Sequence, residues 1–144
     1  MELKIVSASR SEAELIATIH KKSFSQQHFT SSFSIGLLTR YYDFFIANNS
    51  KCFLFYSGQE IVGFVVSGFN TKVALKKFKQ RYFLSILYYL LLNPSHLWKK
   101  FNMPKLGKTG FQSLAEFRLL SIAVVPSFIG KGISRHILLK FEQK

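Results

Sequence analysis

The chain has 144 residues, 48% of them hydrophobic and 16% aromatic, enough to bury one sizeable core and too few for two ordinary domains. Twenty Lys and Arg stand against seven Asp and Glu, so the surface field is positive and suits phosphates, anionic lipid or nucleic acid rather than polycations. A lone cysteine, Cys52, excludes an internal disulfide.

"MELKIVSASR" opens with a short β-branched run and carries an acid at its second position. It contains no long apolar stretch of the secretory kind, so the expected location is cytoplasmic. In "SEAELIATIHKKSF" the pair Ser11 and Glu14 has capping-box spacing, and Leu15, Ile16 and Ile19 recur at helical intervals; a helix is expected to start at Ser11. After the polar break "SQQHFTSS", Ile35, Leu38, Tyr42, Phe45 and Ile46 predict a second amphipathic helix, stopped at Asn48 and Asn49. "KCFLFY", "SGQ" and "EIVGFVVSGF" read as an antiparallel hairpin. Gly63 within it signals a bulge or the close approach of another backbone.

Residues 70–109 read as a helical insertion between strands, basic first and apolar after. The run "YFLSILYYLLL", Tyr82 to Leu92, falls well short of the roughly 20 residues a spanning helix needs. With Lys and Arg on both sides and Trp98 nearby, the segment 72–101 is instead a candidate for contact with a membrane surface, against the alternatives of a core helix or a dimer face.

The chain closes with the strand "EFRLLSIAVV", a turn at Pro126, the sequence "GKG" at 130–132, and a helix through Ile133, Ile137, Leu138 and Phe141. A glycine-rich turn feeding a helix N-terminus presents free amides and a positive dipole end, which suit a pyrophosphate. A Walker loop needs Ser or Thr directly after its lysine, and a dinucleotide fingerprint needs a third glycine and a following acidic strand; neither is present.

"VVPSFIGKGIS", 124–134, resembles the pyrophosphate-loop motif V-x-P-x-[YF]-[RQ]-G-x-G-[IV]-[GA] of the GNAT superfamily of N-acetyltransferases. The order of strand, two helices, hairpin, strand, loop and helix is similar to the first two-thirds of that fold. The resemblance implies one α/β (α+β) domain over 1–144, a three-layer arrangement with a mostly antiparallel sheet flanked by helices, and no counterpart to the family's C-terminal strands. It also implies acetyl-coenzyme A as co-substrate. The backbone at Leu120, Ser121 and Ile122 would meet the pantetheine arm, and that of Ile129, Gly130, Lys131, Gly132, Ile133 and Ser134 the pyrophosphate, with Lys131 and Arg135 adding charge. Ile129 stands where the family has Arg or Gln, and Ser134 where it has Gly or Ala.

Transfer to an amine requires a neutral nitrogen, attack on the thioester carbonyl, and a donor for the departing thiolate. Glu116 occupies the place where histone-type members carry a general base. It is the only acid between Glu60 and Glu142. His20, His28, His96 and His136 lack metal-ligand spacing, so no metal is expected. The resemblance expects a cleft wall and a tyrosine acid beyond Lys144. It leaves the strand Phe117 to Val125 with an open edge suited to pairing in a homodimer.

The acceptor expected is a small-molecule amine, neutral or anionic, such as a nucleotide-linked amino sugar, because few acids are available to hold a polycation. The insertion is similar to those of family members associated with surface-polysaccharide synthesis. The alternative is a non-catalytic module that binds acyl-coenzyme A or a membrane surface. Nucleic-acid binding draws only on charge and aromatics, without a recognition motif.

Overall fold

The computed structural model describes residues 3–25, 29–48, 50–95, 98 and 117–142. Strand β1 (Leu3–Ser7) is followed by a 3-10 turn (Arg10–Glu12), helix α1 (Ala13–Ser23), helix α2 (Ile35–Ala47), and the hairpin β2 (Ser50–Ser57) and β3 (Glu60–Phe69). Then come α3 (Thr71–Arg81), α4 (Phe83–Leu92), β4 (Phe117–Val124), a 3-10 turn (Pro126–Phe128) and α5 (Ile133–Glu142). The result is a mixed α/β fold whose sheet has the order β1-β2-β3-β4, antiparallel throughout.

Alternation along the strands divides the core in two. Cys52 and Leu54 of β2 and Phe64 and Val66 of β3 face α1 and α2, where they meet Ile16, Leu38, Tyr42 and Phe45. Phe55, Val62 and Val65 face the other way and bury Ile133 and Ile137 of α5. Helices therefore cover both faces of the sheet, as a sheet apolar on both sides requires. Lys140 of α5 donates to the Leu3 carbonyl at 2.8 Å, which ties the last helix to the first strand.

The hairpin turns through Gly58 and Gln59, with Ser57 opposite Glu60. Gly58 has φ 62°, the left-handed value that a first central glycine adopts in a turn whose twist matches the strands. Opposite Phe55 and Tyr56 the register skips Val62, a β-bulge. The skipped residue turns Val62 onto the α5 face beside Val65, while Ile61 packs on the α1–α2 face. A Cβ at Gly63 would lie 2.3 Å from the Ala123 carbonyl oxygen and 3.0 Å from Cδ1 of Ile137. Both readings of Gly63, bulge and close approach, thus apply at this one place.

The first helix starts later than its sequence signal. Glu12, rather than Glu14, folds back onto the backbone N–H of Ser9 at 2.6 Å, so the capping pair sits on the 3-10 turn and α1 begins at Ala13. Arg10 on that turn donates two bonds to Asp43 of α2, at 2.6 and 2.9 Å. Helix α2 behaves as expected: Ser34 caps it by accepting from Leu37 N–H at 3.1 Å, and Asn48 closes it by donating to the Phe44 carbonyl. The expected Asn49 lies outside the described residues. Among the described residues the insertion opens with two helices meeting at Tyr82, and of its remainder to residue 109 only 93–95 and 98 are described. Among the described residues no helix is long and apolar enough to cross a membrane.

A candidate ligand groove along the edge of strand β4

Strand β4 ends the sheet order, so one of its edges has no strand beside it among the described residues. Its register against β3 slips once: Val66 opposes Ser121 and Ser67 opposes Leu119, leaving Leu120 without a partner. A bulged residue is withdrawn from the ladder and re-aims its neighbours. Here Leu120 and Ser121 both turn toward α1 and α2, and with Leu119 and Ile122 they line a cavity of about 250 Å³ closed by His20, Phe24, Thr30, Tyr41 and Tyr42.

A chain of polar side chains crosses this cavity. His20 Nδ1 lies 2.6 Å from the Tyr42 hydroxyl, its Nε2 lies 3.0 Å from Thr30 Oγ1, and the Tyr42 hydroxyl is 3.4 Å from Ser121 Oγ. Phe24 stacks on the imidazole at 4.3 Å between centroids. Although His20 is 2% exposed and Tyr42 fully buried, each polar atom has a partner, as burial demands. Burial pushes the Tyr42 phenol well above its usual range, against the hydrogen bond from Ser121, which acts the other way. Burial likewise pushes Tyr41 up to about 12. With the phenol neutral, one consistent arrangement has Tyr42 donating to Nδ1, Nε2–H donating to Thr30 and Ser121 donating to the phenol oxygen.

Next to this cavity lies a second of about 310 Å³, lined by Ser23, Phe24, Ile122, Ala123, Val124, Ile129, Ser134 and Leu138. Phe24 and Ile122 belong to both linings, so the two cavities adjoin along β4, between the bulge and the start of α5. The buried Ser23 hydroxyl in its wall has no hydrogen-bond partner among the described residues.

At the far end of the groove Pro126 stops β4 and opens a 3-10 turn. Gly130 and Gly132 then take φ 83° and 71°, values costly for residues with a Cβ. These two reversals aim the chain into α5. The amides do not all point outward: Ile129 N–H donates to the Pro126 carbonyl at 3.2 Å and Lys131 N–H to Phe128 at 3.4 Å. Those of Gly130, Gly132, Ile133 and Ser134 make no backbone bond of this kind among the described residues. Lys131 holds its ammonium 4.8 Å above the Phe128 ring, and Arg135 is exposed on the first turn of α5. Ile129 is 66% exposed.

The structure therefore brings Leu120, Ser121 and Ile122 to the first cavity and Ile122, Ile129 and Ser134 to the second, whereas Gly130, Lys131 and Gly132 line neither. Ile133 is buried as a core residue. Glu116, His28 and His96 lie outside the described residues. His20, Thr30 and Tyr42 were not expected at a site. Their signal was present, since His20 continues the apolar face of Ile16 and Ile19 and Tyr42 that of Leu38, but helical spacing cannot separate a core polar pair from a functional one. No protein-family model and no curated protein matches the sequence.

Proposed function

We propose that the chain is an acetyl-coenzyme A dependent N-acetyltransferase of the GNAT type, acting by direct attack of an amine on the thioester. The observation that carries this reading is the pair of adjoining cavities along the edge of β4, one at the bulge at Leu120 and the other lined by Ile129 and Ser134, which flank the Gly130–Gly132 turn in sequence. Such a pair offers an extended thioester arm a strand edge for its amides and an amide-rich helix start for its phosphates.

In this reading the amides of Gly130, Gly132, Ile133 and Ser134 hold the pyrophosphate, and Lys131 and Arg135 add positive charge. The pantetheine lies along Leu120 to Ile122, with the Ser23 hydroxyl as a further polar contact in the wall. The thioester then reaches the bulge, where the backbone of Leu120 is withdrawn from the ladder and free to meet negative charge developing on the carbonyl oxygen. The amine nitrogen forms the new C–N bond, the C–S bond breaks with its electrons on sulfur, and one proton moves from nitrogen to the thiolate. His20, both of whose ring nitrogens are hydrogen-bonded at the cavity floor, positions the Tyr42 hydroxyl, and Glu116 is the candidate base. The acceptor is a neutral or anionic small-molecule amine, an amino sugar among them, in keeping with the excess of Lys and Arg.

One observation favours a second reading, a non-catalytic acyl-coenzyme A binding module: exposed Ile129 supplies no charge where a polar side chain would help grip the phosphates. Titration calorimetry with acetyl-coenzyme A tests both. Saturable binding that Gly130→Asp or Gly132→Asp abolishes is expected, and absence of binding at millimolar ligand refutes both. Release of free thiol with an amine panel, lost in His20→Ala or Glu116→Gln, then selects the enzyme; binding without release selects the module.

A further inference from the structure

The outward face of α4 is apolar where a surface helix is ordinarily polar. Its inner residues Ile86 and Tyr89 pack on the core, but Phe83, Leu84, Leu87, Tyr88, Leu91 and Leu92 are all exposed, Leu84 at 78%. Their spacing of one, three, one, three, one traces a single stripe over the whole helix. No charged residue interrupts it, and no residue of α4 is fully buried. Contiguous exposed apolar surface of this kind marks an interaction site.

Helix α3 supplies the charge. It carries Lys72, Lys76, Lys77, Lys79 and Arg81 and no acid. Three of the lysines, Lys72, Lys76 and Lys79, line a shallow hollow with Leu75 and with Phe83, the first residue of the stripe. Basic and apolar surfaces are thereby continuous. Exposed Trp98 follows shortly after α4.

We propose that α3 and α4 form a docking surface for an anionic lipid bilayer, with the α4 stripe sunk into the headgroup boundary and the α3 lysines on phosphate. The complementarity selects this occupant. A second copy meeting the same surface about a two-fold axis would set lysines against lysines in a chain of net charge +13. A bilayer with negative headgroups above an apolar layer accepts both halves of the surface at once. The inference stands independently of the acetyltransferase reading, since it uses none of the groove residues.

Flotation of the full chain with vesicles of phosphatidylcholine, alone or mixed equally with phosphatidylglycerol, tests it, with emission of Trp98, the chain's single tryptophan, as a second readout. Binding to the anionic vesicles with a blue shift is expected, weakening as salt is raised. Lys76→Gln and Lys79→Gln each reduce affinity roughly fivefold, and Leu84→Ser and Leu91→Ser each at least about tenfold. All four side chains are exposed, so the far-UV circular dichroism of the variants should match that of the parent. Four results overturn the proposal: no flotation at low salt; flotation unchanged in the four variants; a dimer in solution that Leu84→Ser dissociates, which assigns the stripe to a second copy; and binding to polyglutamate but not to vesicles, which assigns it to an acidic protein.

Discussion

Replacing Gly63 by alanine tests the geometry on which the groove depends. The added methyl would sit 2.3 Å from the Ala123 carbonyl oxygen, and ordinary van der Waals contact begins near 3.4 Å, so β4 or β3 must retreat by about an ångström. The same methyl would meet Cδ1 of Ile137 at 3.0 Å, but a side-chain end yields more easily than a paired strand. Overpacking of this kind costs about 1–3 kcal/mol, and the upper half is expected here because the clash is with backbone. Urea unfolding followed by circular dichroism measures it. Ile137→Val removes Cδ1 and by itself costs about 1 kcal/mol. If the carbonyl is the obstacle, the double variant should be destabilised by the sum of the two, within about 0.5 kcal/mol. A Gly63→Ala protein within about 0.5 kcal/mol of the parent would show that β3 and β4 do not approach as described. A double variant more stable than Gly63→Ala alone would move the clash from the strand to α5.

Three further outcomes follow from buried or paired groups. Tyr42→Phe leaves the His20 ring nitrogen without its 2.6 Å partner and should destabilise by about 1–3 kcal/mol in the same unfolding assay; a neutral result would mean that the pair is not formed. Burial holds the Cys52 thiol up at about 12, so the native protein should react negligibly with a thiol reagent at neutral pH and stoichiometrically once unfolded in urea. The hydrogen bonds from Arg10 hold the Asp43 carboxyl below its usual range. Its contribution is therefore present above the unfolded carboxylate pKa, near 4, and is lost as pH falls through the lower folded value. Asp43→Asn should flatten that part of the stability profile and leave neutral-pH behaviour nearly unchanged, because the pair is exposed.

What was legible in the sequence was what repeats or punctuates. Helical spacing located α2, the glycine-bearing turn located the hairpin, and Pro126 located the end of β4, because each is a local constraint. The start of α1 was misplaced by one capping pair: Ser9 with Glu12 and Ser11 with Glu14 have the same spacing, and only packing against α2, through Arg10 and Asp43, separates them. The bulges were half legible. Gly63 announced the first, whereas Leu120 gives no sign of the second, since nothing in "RLLSIA" departs from a regular strand. The cavity floor was least legible, because His20, Thr30, Tyr42 and Ser121 come from four separate segments.

The two proposed anion sites differ in physical kind, and salt can separate them. At the Gly130–Gly132 turn the donors are backbone amides fixed by two left-handed residues, with Lys131 resting on Phe128. Amides at a helix start act at contact distance, so their share survives when the Debye length shrinks from about 10 Å at 0.1 M salt to about 3 Å at 1 M. On α3 the donors are flexible exposed lysines, whose attraction reaches across solvent and is screened by salt. Raised ionic strength should therefore release the chain from anionic vesicles well before it weakens acetyl-coenzyme A binding. If both fall in parallel, the turn is acting through Lys131 and Arg135 rather than through its backbone, and the glycines serve only to route the chain into α5.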